Sequence, residues 1–319
     1  MRWKIVGLKT LFVGTASYGC EVLRRLEERS DVELKGVVTK PARRRGRGQN
    51  KQLTPVGKTA DELNVSVYQP TSFNEEAKEI FSQTGALDLM FVVAFGQILK
   101  PEVFNFPRLS SYNFHASLLP RWRGAAPIRH ALLAGDERTG VTLFKLVQDL
   151  DAGPICVQKG IEVKEKESYK SLYNRLSELN CEVLDTFLER LESETLECRD
   201  QEGNSTYASR ISKADAEIDW QSEAEEIERQ IRAYYPRPGA HTEIGGERCI
   251  ICRASVVEGE GEAGEILAIE ERGLVVAAAS DALRIEALKP AGSREMKCEA
   301  FQAGRQHLEV GDRVWEDEK

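Results

Sequence analysis

The chain has 319 residues, 41% of them apolar and 30% charged, and a formal net charge of −8 at pH 7. This length predicts two domains with ordinary cores, and no apolar run approaches the length that spans a bilayer. The acidic balance argues against non-specific binding of nucleic acid by the whole surface. The sequence therefore predicts a water-soluble globular protein.

The start of the chain and its cysteines bear on the cellular compartment. About nine residues precede the first predicted strand, which is too few for a signal peptide, so we expect a cytoplasmic protein. Seven cysteines are scattered through the chain. An odd number in a chain of this size favours reduced thiols over a disulfide framework.

Positive charge is concentrated near the amino terminus. Residues 1–60 carry fourteen Lys and Arg against five Asp and Glu, a net charge of +9, so residues 61–319 carry −17. Such asymmetry is typical of a local contact with a polyanion on a protein that otherwise repels polyanions.

Predicted strands and helices alternate through the first part of the chain. Apolar runs predict the strands, and apolar residues spaced three or four apart predict the helices, as Tyr18, Val22 and Leu26 do for the first one. The predicted strands are 10–14, 34–39, 65–68, 87–94, 110–114, 141–147 and 155–163, and the predicted helices are 17–29, 54–64, 125–133 and 168–192. This alternation predicts a doubly wound, mostly parallel α/β sheet.

The pattern changes after about residue 200, where a polar stretch at 201–205 predicts a linker. A predicted helix at 224–234 is followed by strands at 240–244, 249–257, 265–270, 273–278 and 283–288. Short strands separated by glycines are typical of a small β-barrel. We therefore expect a first domain at 1–200, a linker at 201–212 and a smaller barrel domain at 213–319.

Candidate catalytic residues lie at the end of one predicted strand and in a later turn. Asn113 and His115 are two residues apart, so both side chains point to the same side of the sheet. Ligands bind at the carboxyl ends of strands in open α/β sheets. Asp149 and Asp151 lie in a tight turn between two later strands. An amide, an imidazole and a carboxylate together suit acyl transfer, because they can stabilise an oxyanion, move a proton and orient the imidazole.

Each of these residues also has a structural explanation when taken alone. An asparagine at a strand end is more often a turn former than an oxyanion donor. A single histidine is more often structural than catalytic, and Asp151 could cap its own turn. The functional interpretation depends on the block of sequence that lies between them.

That block, residues 117–128, reads Ser-Leu-Leu-Pro-Arg-Trp-Arg-Gly-Ala-Ala-Pro-Ile. It resembles the signature of the methionyl-tRNA formyltransferase family, and the flanking Asn-x-His and Leu-Asp-x-Gly patterns resemble those of other enzymes that use 10-formyltetrahydrofolate. The likeness continues at residues 40–49, 88–99, 209–213, 218–220 and 236–239. It therefore implies a Rossmann-like formyltransferase domain followed by an OB-like β-barrel domain that binds tRNA.

The resemblance also implies roles for the three candidates. Asn113 would donate to the formyl oxygen, and His115 would polarise that carbonyl and manage a proton. Asp151 would hold His115 and carry the proton between the attacking amine and the folate nitrogen. The reaction implied is transfer of the formyl group from 10-formyltetrahydrofolate to the amino group of initiator methionyl-tRNA.

The folate, a co-substrate, is expected to lie along the sheet edge. The residues expected to line its pocket are Gln97, Ile98, Leu99, Ser117, Leu118, Leu119, Pro120 and Asp149. In the family, the protein backbone makes most of the folate contacts. The identities of the side chains at these positions therefore say little about folate binding. Core packing is the alternative explanation for Ile98 and Leu99.

Six cations occur within twelve residues and without an acid: Lys40, Arg43, Arg44, Arg45, Arg47 and Lys51. In an arbitrary protein such a run is usually a solvated loop. The resemblance implies instead a flexible loop, with Gly46 and Gly48, that enters the acceptor arm of the initiator tRNA. Phosphate contacts would make this binding salt-dependent.

Some residues depart from the family or suggest other chemistry. Ala116 stands where glycine is common, Arg237 replaces a tryptophan between two prolines, and the turn at 147–154 looks more like that of glycinamide ribonucleotide transformylases.

Cys249 and Cys252 are three apart within a strand and have no second pair, so no metal site is expected. The stretch 14–19 is not a Gly-x-Gly-x-x-Gly loop, so no nicotinamide cofactor is expected either.

Two other functions remain open at this point. The first is an N-formyltransferase that acts on an amino-sugar nucleotide, which the basic loop and the Arg-Trp-Arg stretch at 121–123 disfavour. The second is a non-catalytic RNA-binding protein, which the intact catalytic set disfavours. We expect a monomer that does not associate with membranes.

Overall fold

The computed structural model describes residues 7–45, 50–305 and 308–315. The chain divides into two compact units. The first unit comprises the described residues up to Pro127, together with Arg138–Glu162 and Tyr173–Ala208. The second unit comprises Ile128–Glu137, Val163–Leu172 and the described residues from Ser209 onwards.

Eleven strands and six α-helices precede the carboxyl-terminal part of the chain within the described residues. The strands are β1 Leu8–Gly14, β2 Val32–Val38, β3 Arg43–Arg45, β4 Asn50–Gln52, β5 Val67–Tyr68, β6 Leu89–Val93, β7 Ser110–His115, β8 Arg123–Gly124, β9 Arg138–Lys145, β10 Ile155–Glu162 and β11 Tyr207–Ala208. The helices are α1 Cys20–Glu28, α2 Pro55–Glu62, α3 Phe73–Thr84, α4 Pro101–Phe104, α5 Pro127–Leu133 and α6 Tyr169–Glu192.

The central sheet has the order β10-β9-β7-β6-β1-β2-β5. Neighbouring strands are parallel except where β9 pairs with β7 and with β10. The chain leaves β1 towards one edge and later returns to pair β6 on its other side, which is the doubly wound topology. The five residues of β6 are all buried, as expected of a central parallel strand covered on both faces.

Alternation along β7 fixes which side chains face the core. Phe114 is buried, and its ring lies 5.9 Å from that of Phe91. Phe91 in turn meets Phe187 of α6 at 5.6 Å. Because successive side chains point to opposite faces, Asn113 and His115 lie on the face away from this aromatic cluster. Burial of Phe114 therefore sets the direction of the two candidate catalytic side chains.

The second unit contains an antiparallel sheet. Its elements from Ser209 onwards are α7 Ala224–Tyr234, β12 His241–Ile244, β13 Glu247–Val257, β14 Ile266–Glu270, β15 Gly273–Ala277, β16 Ala282–Pro290, β17 Met296–Lys297 and α8 Cys298–Ala303. The strand order is β12-β13-β16-β15-β14, with β17 beside β16. Trp220 is buried in this unit, and its indole N–H donates to Thr242 Oγ1 at 3.0 Å.

The predicted fold class is confirmed, with a mostly parallel α/β sheet followed by an antiparallel β domain. The predicted helix at 224–234 has the same bounds as α7. Ser168 caps α6, since its Oγ accepts from the Ser171 amide at 3.3 Å. Helix α3 was missed, although its buried Phe73, Ala77 and Ile80 follow helical spacing.

The expectation that the cysteines are reduced is wrong for one pair. Cys156 and Cys198 form a disulfide, 42 residues apart in sequence. Ile155 and Arg199 form an antiparallel bridge, and this pairing places the next residue on each side close to its counterpart. Sequence spacing does not show such proximity. The other five cysteines have free thiols.

In the parts of the chain that the structure describes, no helix combines the length and apolar character needed to cross a bilayer.

Candidate active site

The candidate site begins at the carboxyl end of β7. Strand β7 pairs with β6 on one side and β9 on the other, and His115 is its last residue. Asn113 is half-buried, and within the described residues its side-chain amide has no hydrogen-bond partner. A half-buried amide that no neighbour uses is available to a ligand, because such groups otherwise find partners in the protein.

Two groups face the nitrogens of the His115 ring, which is only 5% exposed. Its Nε2 lies 2.7 Å from the Trp122 carbonyl oxygen. A carbonyl only accepts, so Nε2 carries a proton and donates. Its Nδ1 lies 3.6 Å from Asp151 Oδ2, beyond hydrogen-bond distance but within ion-pair distance. The sequence suggested that Asp151 holds His115, whereas the shorter contact in the structure is to Trp122.

Asp151 is held in an unusual backbone conformation. Its φ is +49°, in the left-handed region that costs a non-glycine residue about 1–2 kcal/mol. Its Oδ2 accepts from the Gly124 amide at 2.8 Å. Trp122, whose carbonyl holds His115, also has a positive φ of +62°. Backbone strain of this kind persists where the surrounding structure over-determines it, and it is common at functional sites.

Residues 198–208, which we call the strap, hold both of these left-handed residues. At one end, Ile155 and Arg199 exchange backbone hydrogen bonds of 2.7 and 2.9 Å. At the other end, β11 pairs in parallel with β8. The Thr206 Oγ1 accepts from the Trp122 amide at 2.8 Å. The sequence placed residues 201–205 in a linker, but in the structure the strap fastens the two loops that carry the site.

Gln201 is the strap residue whose side chain contacts the turn that carries Asp151. Its side-chain N–H groups donate to the carbonyl oxygens of Asp151 and Gly153, at 2.8 and 2.9 Å. Its Oε1 accepts from Arg123 Nε and Nη2, at 3.1 and 2.7 Å. Arg123 also lowers the pKa of the exposed Tyr207, after the larger effect of a hydrogen bond to Ser205. Sequence reasoning missed Gln201, because only its contacts distinguish it from a surface glutamine.

The predicted folate residues fall into two segments of the first unit. In the first, Gln97 Oε1 accepts from the Phe73 amide at 3.0 Å, so its side chain is already engaged. Asn74 holds the Ile98 carbonyl at 2.9 Å while the Ile98 side chain is 77% exposed. Leu99 is partly buried and packs against the core. An exposed apolar side chain on a fixed loop suits an apolar ligand face.

The second predicted folate segment follows β7. The Ser117 hydroxyl donates to the Arg121 carbonyl at 2.5 Å, and the Ser117 carbonyl accepts from Thr142 at 2.6 Å. Leu119 is buried, and Leu118 and Pro120 are half-buried. This turn is therefore rigid before any ligand binds. Asp149, the last predicted folate residue, is exposed, and its carbonyl accepts from the Ala152 amide at 3.3 Å.

Two parts of the basic segment form strands, which the sequence did not suggest. Its flanks form a two-stranded ribbon in which β3 pairs antiparallel with β4, rather than a loop throughout. Arg43 and Lys51 are exposed, and the Lys40 ammonium donates to the Gly96 carbonyl at 3.0 Å. For Arg44 and Arg45 the structure describes the backbone alone, and Arg47 lies outside the described residues together with Gly46 and Gly48.

The described residues contain no group of His, Cys, Asp and Glu that could hold a metal ion. Burial raises the pKa of Cys249 to about 12 and that of Cys252 to about 11. These thiols are therefore protonated near neutral pH, whereas a cysteine binds metal as a thiolate.

Comparison with known proteins identifies both parts of the chain. Residues 8–188 match the model of the formyl transferase family, and residues 210–306 match the formyl transferase C-terminal domain. The methionyl-tRNA formyltransferase of Geobacter metallireducens is 39% identical over 313 residues, which cover 97% of this chain and 99% of that protein. The chain belongs to the formyl transferase family. The resemblance predicted from the motifs is confirmed.

Solved structures share the fold at lower identity. HypX from Aquifex aeolicus in complex with tetrahydrofolic acid has a TM-score of 0.63 and 18% identity over 97% of this chain and 50% of that one. An N-formyltransferase from Helicobacter canadensis, in complex with folinic acid and dTDP-3-aminofucose, has a TM-score of 0.64 and 18% identity over 91% of this chain and 100% of that one. The predicted domain boundaries stay a prediction.

The Gly124 amide can be displaced by one methyl group. Gly124 has a φ of +118°, and a Cβ there would lie 2.7 Å from the Ala208 carbonyl oxygen. We expect Gly124→Ala to move the amide away from Asp151 and to lower kcat for formyl transfer by about 10- to 100-fold. Steady-state kinetics and circular dichroism measure the effect.

Gly85→Ala is the matched control, because Gly85 also has a positive φ of +72° but no atom within 4 Å of an added Cβ, and it lies outside the strap. It should retain kcat within about twofold of the unsubstituted protein, since it introduces backbone strain without moving the site. Equal losses of kcat in the two variants would contradict the role given to the Gly124 amide.

Proposed function

We propose that this protein transfers the formyl group of 10-formyltetrahydrofolate to the amino group of methionyl-initiator-tRNA. The observation that carries the proposal is the open Asn113 amide beside an imidazole whose nitrogens face Trp122 O and Asp151 Oδ2. Near-complete coverage by a relative of this activity at 39% identity supports the tRNA acceptor. The tetrahydrofolic acid complex of a structural neighbour supports the folate donor.

Stabilisation of negative charge comes from two side chains on β7. The attacking amine forms a bond to the formyl carbon, and the formyl oxygen becomes an oxyanion. The Asn113 amide donates to that oxyanion, since its N–H groups have no partner among the described residues. His115, whose ring nitrogens face the Trp122 carbonyl and Asp151 Oδ2, lies on the same face of β7 and polarises the formyl carbonyl.

Proton transfer completes the reaction. The attacking nitrogen must lose a proton, and the folate nitrogen must gain one as its bond to the formyl carbon breaks. Asp151 carries that proton, because its carboxylate faces the site and has one oxygen fixed by the Gly124 amide. Because Oδ2 is fixed and Oδ1 has no hydrogen-bond partner among the described residues, the carboxylate can exchange a proton without losing its position.

The folate is held by the two segments described above. Ile98 presents an exposed apolar surface, and the hydrogen-bonded turn from Ser117 to Pro120 gives a rigid wall. Asp149 lies exposed in the turn that also carries Asp151. This set fits a flat heterocycle with polar edges, because ligand pockets combine apolar surface with a few fixed polar groups.

The basic segment contacts the tRNA phosphates. Lys40, Arg43, Arg44, Arg45 and Lys51 lie on or beside the β3–β4 ribbon, and Arg47 lies between these two strands in the sequence, in an otherwise acidic chain. Their charge attracts the acceptor arm and positions it without reading its sequence. The protein acts in the cytoplasm as a monomer.

A direct assay tests this function. The protein is incubated with 10-formyltetrahydrofolate and methionyl-tRNA, and the released amino acid is analysed by mass spectrometry. Formylmethionine is the expected product. Formylation of an amino-sugar nucleotide in place of methionyl-tRNA would transfer the proposal to that acceptor, and turnover of neither would refute it.

Asn113→Ala should slow turnover about a hundredfold or more, because removing one oxyanion donor costs about 3 kcal/mol of barrier in comparable sites. Folate affinity, measured by fluorescence titration, should stay nearly unchanged. A variant that retains kcat within about tenfold of the unsubstituted protein would remove Asn113 from the mechanism.

Replacing Arg43, Arg44, Arg45 and Arg47 by Ala should raise the KM for methionyl-tRNA about tenfold or more and weaken its salt dependence, with the KM for folate unchanged. The charge-matched control replaces four cations elsewhere, the exposed Lys58, Lys78, Lys100 and Arg190. A change in thermal stability without a change in the KM for tRNA would show that the segment is structural.

A further inference from the structure

The turn that carries Asp151 is tied to β9 at its end, where the Lys145 amide donates to the Pro154 carbonyl at 3.0 Å, but its tip is exposed. Asp151 has a positive φ, and the turn's own backbone bond from the Ala152 amide to the Asp149 carbonyl is long at 3.3 Å. Leu150, next to Asp151, is 53% exposed. A turn of this kind requires fixation from outside if its carboxylate is to stay within reach of a substrate.

Gln201 supplies that fixation through the backbone. Its amide nitrogen donates to the carbonyl oxygens on both sides of Ala152, those of Asp151 at 2.8 Å and Gly153 at 2.9 Å. Two carbonyls bound by one amide cannot rotate independently. The direction of the Asp151 side chain is therefore coupled to the position of Gln201.

Gln201 is itself held on its opposite side. Its Oε1 accepts two hydrogen bonds from the Arg123 guanidinium, at 3.1 and 2.7 Å. Arg123 precedes Gly124, whose amide donates to Asp151 Oδ2 at 2.8 Å. The contacts thus form a closed ring, from Asp151 through Gln201 and Arg123 to Gly124 and back to the carboxylate. Every side-chain polar group of Gln201 is used within this ring.

We propose that Gln201 is a positioning residue for formyl transfer: it acts through Asp151, by fixing the turn that presents the carboxylate to the reacting atoms. Its side-chain polar groups are bound by Arg123 and by the Asp151 turn. The inference rests on the proposed function, because Asp151 is its point of action.

Two substitutions test this role. Gln201→Leu removes both donors and the acceptor at nearly constant volume. Gln201→Glu keeps the oxygen that faces Arg123 but replaces the donor nitrogen by a second oxygen. Both should lower kcat about 10- to 100-fold while the KM for tRNA stays within about threefold, because they loosen the turn that carries Asp151 and leave the basic segment unchanged.

Gln230→Leu is the matched control. The Gln230 amide nitrogen also bridges two backbone carbonyls, those of Asp215 and Glu217, each at 3.0 Å, but within the second unit. Its loss should lower the melting temperature by an amount similar to that of Gln201→Leu and leave kcat within about twofold. Comparing the two variants separates the loss of stability that follows removal of any bridging amide from the loss of kcat that follows displacement of Asp151.

A double-mutant cycle with Asp151→Asn gives the decisive comparison. If Gln201 acts through Asp151, Gln201→Leu should reduce kcat of the Asp151→Asn protein by less than about threefold, since the group that it positions is already gone. If the kcat of the double variant is lowered by the product of the two single fold-losses, Gln201 acts independently of Asp151. That result would overturn the inference.

The remaining outcomes are also decisive. Full activity of both Gln201 variants overturns the inference, and so does unfolding of both while Gln230→Leu stays folded, because Gln201 is then a structural residue. Absence of formylation by the unsubstituted protein refutes the proposed function instead. The two failures are therefore distinguishable.

Discussion

The hydrogen bond from the Gly124 amide to the Asp151 carboxylate joins two loops that are far apart in sequence. One loop follows β7 and bears Trp122, and the other precedes β10 and bears Asp151. Because the Trp122 carbonyl holds the His115 ring, this bond also fixes the carboxylate relative to the imidazole. Without it, the bridge that Gln201 forms between Arg123 and the Asp151 turn would remain as a link between the two loops.

Two residues of the site have unfavourable backbone conformations, and contacts made by the strap offset their free-energy cost. Trp122 and Asp151 both have left-handed backbone conformations, each unfavourable by about 1–2 kcal/mol. The strap compensates with the β8–β11 pairing, the Ile155–Arg199 bridge and the contacts of Gln201. Donors and charges that are already in position lower the reaction barrier, because they do not have to reorganise during the reaction.

Much of the fold was predictable because its signals are local. A continuous apolar run identified β6, and helical spacing identified α6 and α7. The catalytic candidates were predictable because Asn113 and His115 share a strand face. The disulfide and the role of Gln201 depend on residues brought together from distant segments, and a single sequence does not show such proximity. The contact of Trp122 depends on its backbone carbonyl, which side-chain patterns do not reveal.

The orientation of His115 is the claim on which the account of the site rests, and ¹⁵N NMR of histidine-labelled protein tests it most directly. His115→Gln assigns the ring resonances. For the neutral ring, we predict a proton on Nε2, which donates to the Trp122 carbonyl, and a proton-free Nδ1 facing Asp151. A neutral ring with its proton on Nδ1 would contradict the hydrogen bond to Trp122 and the site geometry derived from it.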